Sequence, residues 1–130
     1  MIILSLKTDQ PESEFALFND HKQLAQIKYL AHKDLADTIH LKIVELLKSQ
    51  NLDWQNIEGV ICFKGPGSFT GLRIGLSVAN SLAYGLDIPI IGEQDSDWQT
   101  NAINKLLKKQ NDKMVMPFYG AEPNITKPKK

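Results

Sequence analysis

The eleven-residue run Gly65-Pro66-Gly67-Ser68-Phe69-Thr70-Gly71-Leu72-Arg73-Ile74-Gly75 constrains this chain more than any other segment. It follows an apolar stretch, Ile57 to Phe63, that reads as a buried strand, and it opens a helical pattern from Thr70 to Gly85. A strand, a glycine-rich turn and a helix in that order belong to layered α/β architecture. Two readings of the turn compete. Free N–H groups at a helix start favour an anion, so the loop could cradle phosphate. It could equally be a tight turn with Ser68 or Thr70 capping the helix. A Walker loop would place Lys after Gly71, where Leu72 and Arg73 stand; a dinucleotide fingerprint would place Gly at Thr70. The spacing favours the turn.

The helix that follows is apolar over an unusually wide arc. At ~100° per residue, Leu72, Leu76, Ala83, Ala79, Leu86, Gly75, Leu82, Val78, Gly85 and Ile74 span about 200°. Arg73 is its only charge, beside Ser77, Asn80, Ser81 and Tyr84. A surface helix needs a stripe only ~100° wide. The excess predicts burial on two sides, one against its own sheet and one against a neighbouring helix or another chain. Gly71, Gly75 and Ala79 form a small-residue ridge suited to close helix approach. The width favours a partner surface there over complete cover by the chain's other long helix.

The remaining elements follow from periodicity. Residues 2–6, 15–18 and 22–30 read as three strands joined by short turns, an antiparallel meander. An amphipathic helix runs from about 33 to 49, with Leu35, Ala36, Ile39, Ile43, Leu46 and Leu47 on one arc. Leu41 and Val44 fall off that stripe, as flank residues or as part of a second contact surface. Ile88 to Gly92 reads as a strand. Asp95 or Ser96 would cap a helix to about Gln110, and Lys113 to Phe118 would be a last strand. The order is β-β-β-α-β-α-β-α-β, a mixed sheet of three antiparallel strands plus parallel strands with crossover helices.

Composition removes several function classes. The 130 residues suit one domain, here residues 1–118, followed by an irregular basic tail over 119–130. Fifteen basic and fifteen acidic residues cancel, and neither half is strongly charged, so no basic stripe marks a nucleic-acid binder. A net charge of zero also gives little protection from self-association. No apolar run approaches the ~18 residues of a membrane span. The first residues, Met1 to Lys7, do not have the form of a secretion signal, and the single cysteine, Cys62, lies in an apolar run. A reducing, cytoplasmic setting is expected. His21, His32 and His40 lack metal-ligand spacing, and Ser68 lacks a nucleophile-elbow pattern. Asp34 and Asp37 near His40 suit a solvated helix face, while Asp95 and Asp97 suit capping. No catalytic residue, metal or cofactor is expected on this chain alone.

The run from Gly65 to Gly75 resembles the signature of the TsaB (YeaZ) family, which serves biosynthesis of threonylcarbamoyladenosine in tRNA. Ala31-His32 is similar to the family's start of its first long helix, and Ile88 to Gly92 to its next strand; the resemblance covers residues 1–110 or so. It implies one half of the actin-like, Hsp70-like ATPase (ribonuclease H-like) fold. It also implies a non-catalytic subunit that pairs with the transferase TsaD through two helices from each protein, with the ATPase TsaE joining them. The contact residues would be Leu72, Arg73, Leu76, Ala79, Asn80, Ala83 and Tyr84, with Ile39, Leu41 and Ile43 of the preceding helix. The resemblance leaves open whether tRNA contact is indirect or involves this chain. Two departures stand out. Lys7 occupies the place of the acidic residue related to phosphate binding in active ATPases of this fold. A second domain typical of the family does not follow, so a short form is expected. The alternatives are a small nucleotide- or phosphate-binding hydrolase using the loop Gly65–Gly71, and a homodimer using the same helix.

Overall fold

The computed structural model describes residues 1–120. Strands β1 (Ile2–Lys7), β2 (Glu12–Asn19) and β3 (Lys22–Leu30) form the expected antiparallel meander. A 3₁₀ turn at His32–Asp34 leads into helix α1 (Leu35–Ser49). Strand β4 (Gly59–Phe63) lies parallel to β1. Helix α2 (Phe69–Leu86) crosses to β5 (Ile90–Glu93), which is parallel to β4, and helix α3 (Trp98–Leu107) follows. The sheet order is β3-β2-β1-β4-β5, so β1 is central and buried on both faces.

Strand alternation divides the core into two layers. Leu4, Leu6, Phe15, Leu17, Val60, Cys62 and Ile90 point to one face, where α1 supplies Leu35, Ile39, Ile43, Leu46 and Leu47, and α2 supplies Leu76, Ala79 and Ala83. Ile3, Ala16, Phe18, Ile61, Phe63 and Ile91 point to the other, covered by Trp98, Ala102, Ile103 and Leu106 of α3. Two helices on one face and one on the other give a three-layer unit.

Several boundaries depart from expectation. Residues 54–56 form a 3₁₀ turn capped by Asp53, so β4 starts at Gly59 rather than Ile57. β5 starts at Ile90, because Ile88 and Pro89 complete the turn out of α2. Helix α3 has Asp97 at its N-cap position, without a side-chain cap from Asp95 or Ser96, and ends at Leu107.

The larger correction is the last strand. Residues 113–118 do not join the sheet, and side chains explain why. Asn111 Oδ1 accepts from Ile90 N at 3.0 Å and Asp112 Oδ2 accepts from Gly92 N at 2.9 Å. The outer edge of β5 is therefore satisfied before a strand could pair with it, a common way to blunt an edge. Lys113 then takes a positive φ of 68° and the chain turns away. Val115 docks on α2 instead, exchanging two 2.9 Å hydrogen bonds with the Asn80 amide. Phe118 N reaches Lys64 O at 2.7 Å. The rest of the expected basic tail, residues 121–130, lies outside the described residues.

Candidate functional site

The glycine run is a packing device at the end of β1. Gly67 lies against Asp9: a Cβ there would stand 2.4 Å from Asp9 Cβ. Gly71 and Gly75 do the same toward Thr8, where added Cβ atoms would fall 2.2 Å from the carbonyl oxygen and 2.0 Å from Oγ1. Hydrogen bonds fix this approach. Ser68 N donates to Asp9 O at 2.9 Å, and Thr8 Oγ1 donates to Gly71 O at 2.8 Å. Ser68 caps α2 by accepting from Gly71 N, as expected of a serine at that position. The small-residue ridge thus serves contact within the domain. Asp9 is buried; Lys7 Nζ holds its carboxylate at 2.7 Å and lies 4.9 Å from the centre of the Phe63 ring.

The same burial corrects the expected partner residues. Leu72, Leu76, Ala79 and Ala83 of α2, with Ile39 and Ile43 of α1, are all buried in the chain's own core. Asn80 is engaged with Val115. Of the wide apolar arc of α2, Leu72, Gly75, Leu76, Ala79 and Ala83 are buried in the chain's own core, Ile74, Val78, Leu82 and Leu86 are half-buried, and Gly85 is exposed. Three expected contact residues do reach the surface: Arg73, Leu41 at 68% exposure and Tyr84 at 91%.

Around them the structure adds residues that periodicity missed. Phe69 is 56% exposed and its ring centre lies 4.7 Å from that of Tyr119. The Arg73 guanidinium sits 5.2 Å from the Phe69 ring centre, within cation–π range. Phe69, Arg73, Ser77 and Asn80 line a cleft of about 740 Å³, bounded by Ala36 and His40 of α1 on one side and Met116 and Tyr119 on the other. The only sequence signal for that second wall is the alternation Met114-Val115-Met116, in which Val115 alone is buried.

Other candidates disperse. Asp34, Asp37 and His40 are exposed along α1, and His40 packs beside Trp54. His21 bonds Asn104. Among the described residues no group of three His, Cys, Asp or Glu could hold a metal ion. Burial, and then the nearby Asp112 carboxylate, push the Cys62 thiol far above its ordinary range, so it behaves as a small apolar side chain. No helix among the described residues is long and apolar enough to cross a membrane.

Comparison with known proteins bears on this geometry. A family model described as "TsaD: tRNA N6-adenosine threonylcarbamoyltransferase" matches residues 27–117. The chain is 30% identical over 121 residues to the tRNA threonylcarbamoyladenosine biosynthesis protein TsaB of Bacillus subtilis, covering 93% of this chain and 51% of that protein. It is 28% identical over 125 residues to TsaB of Escherichia coli, covering 92% and 54%. The chain therefore spans about half the length of the curated relatives it matches. Among solved structures, YeaZ from Pseudomonas aeruginosa aligns with a TM-score of 0.67 at 24% identity, over 72% of this chain and 44% of that one. RuvC of T. thermophilus aligns with a TM-score of 0.54 at 10% identity, over 92% and 85%. These two likenesses show the fold: the ribonuclease H-like, actin-like half expected from the sequence.

Proposed function

This chain belongs to the TsaD family in its TsaB (YeaZ) form, and from that premise we propose that it is a non-catalytic subunit binding a TsaD-type transferase in the biosynthesis of threonylcarbamoyladenosine in tRNA. The observation that carries the reading is the solvent side of the α1/α2 layer. Helix α1 exposes Leu41 and helix α2 exposes Tyr84, and a cleft lined by Ala36 and His40 of α1 and by Phe69 and Arg73 of α2 lies where the two helices meet. Large, exposed apolar and aromatic side chains beside an arginine are the composition of a protein-binding surface.

The absence of catalysis fits the local chemistry. Gly67 and Gly71 of the glycine loop are packed against Asp9 and Thr8, so the loop is not open to wrap a nucleotide triphosphate. Lys7 holds the Asp9 carboxylate, and among the described residues no group of three His, Cys, Asp or Glu could hold a metal ion. Hydrolysis by the Gly65–Gly71 loop is accordingly not part of the proposal, and no cofactor is assigned to the chain alone. A TsaE-type ATPase would join through the transferase complex, in the cytoplasm where tRNA is modified, and tRNA would meet the transferase rather than this chain.

Charge substitutions at the exposed positions test this reading. Leu41→Asp and Tyr84→Asp alter surface residues, so each should keep the fold to within about 0.5 kcal/mol. Each should weaken binding to the TsaD-type transferase of the same organism by roughly tenfold or more if it is a central contact. Unchanged affinity in both variants, measured by calorimetry, would remove this face from the interface. A concentration-dependent dimer that both variants abolish, with no transferase binding by the unmodified chain, would support the homodimer instead.

A further inference from the structure

A second cavity, of about 240 Å³, opens beside the first turn of α2 and is lined in part by Gln10, Ser13, Lys33, Ser68, Thr70 and Gly71. It lies near the carboxyl end of β1, where the amino ends of α1 and α2 come together; such ends of parallel strands are where α/β sheets take ligands. Ser13 is 1% exposed, yet its Oγ has no hydrogen-bond partner among the described residues. A buried hydroxyl without a partner is unfavourable, and a native structure usually supplies one. At the start of α2, Ser68 N and Gly71 N are bonded to Asp9 O and Ser68 Oγ, whereas no bond is made by Phe69 N or Thr70 N among the described residues. An eighteen-residue helix also carries partial positive charge at this end. Lys33 adds a full one. The nearby carboxylate, Asp9, is engaged by Lys7 and, at 3.4 Å, by the Gln10 amide.

We propose that this cavity binds a small oxyanion of the phosphate or carboxylate class. Ser13 Oγ and the first free amides of α2 donate to its oxygens, and Lys33 balances its charge. The volume lies below the ~300 Å³ at which small-molecule sites begin, which excludes a nucleoside and suits a single anionic group. The site shares Thr70 and Ile74 with the wall of the larger cleft, but its proposed donors Ser13 and Lys33 lie outside that cleft, and the proposal does not rest on transferase binding.

The test is a titration of the full chain, followed by amide NMR, with inorganic phosphate and separately with acetate, chloride holding the ionic strength constant. Saturable shifts at Ser13, Thr70 and Gly71 are expected with at least one anion. Phosphate alone would assign a tetrahedral ligand and acetate alone a carboxylate. Ser13→Ala removes an unpartnered hydroxyl, so the free protein should melt at the same temperature or higher, while affinity for the anion falls about fivefold or more, as in Lys33→Gln. The proposal is overturned if neither anion saturates, if both variants bind as the unmodified chain does, or if shifts centre on Lys105, Lys108 and Lys109 instead.

Discussion

Gly75→Ala tests whether the glycine run exists to seat α2 on β1. The added Cβ would lie 2.0 Å from Thr8 Oγ1 and 3.0 Å from both Thr8 Cβ and Cγ2. Thr8 cannot give way freely, because it is 3% exposed and its hydroxyl is bonded to Gly71 O. Overpacking of this kind costs about 1–3 kcal/mol. Losing the hydroxyl bond adds about 0.5–1.5 kcal/mol. Against these, alanine gains about 1 kcal/mol over glycine in a helix interior. The expected net loss is about 0.5–3.5 kcal/mol, at roughly 3–5 °C in Tm per kcal/mol for a domain this size. Urea denaturation measures it. In a Thr8→Ala background the obstructing oxygen and its bond are both gone, so the same change should cost at least about 1 kcal/mol less. Equal costs in the two backgrounds would refute the contact as the reason for glycine.

Asn80→Ala removes both hydrogen bonds to Val115 and should cost about 1–3 kcal/mol, with hydrogen exchange rising first in residues 113–118. Ala79→Arg places a cation where exposure is 0%, and circular dichroism should show loss of the folded state rather than a folded chain that merely fails to bind. Cys62 gives a pH dependence. Its folded-state pKa is raised, so above the ordinary thiol value of about 8.5 the unfolded chain releases a proton that the native chain keeps. Stability should therefore fall as pH rises beyond that point, and Cys62→Ala should remove that part of the slope. A thiol reagent at neutral pH should react only as fast as the protein opens.

The strand–turn–helix unit was legible because its signals are local: β-prone apolar residues 59–63, then glycines, then a serine at the cap position. The meander was legible from turn residues at Asp9–Pro11 and Asn19–Asp20. What the sequence could not show is which neighbour takes each face. Gly75 on a helical wheel looks the same whether a partner or its own domain covers it; Thr8, just beyond the end of β1, decides the matter. Likewise Met114-Val115-Met116 alternates as a strand does. Only the side chains of Asn111 and Asp112, lying on the edge of β5, send it across to Asn80. The exposed set Phe69, Arg73 and Tyr119 required the same long-range turn to come together.

The central claim, that this chain is a subunit for a TsaD-type transferase, is tested most directly by the mass of what it forms. Size-exclusion chromatography with light scattering would be run on the chain alone, on the transferase of the same organism, and on their mixture. A new species with the summed mass of one or more copies of each is the predicted result. Two unshifted peaks at concentrations well above micromolar would contradict it.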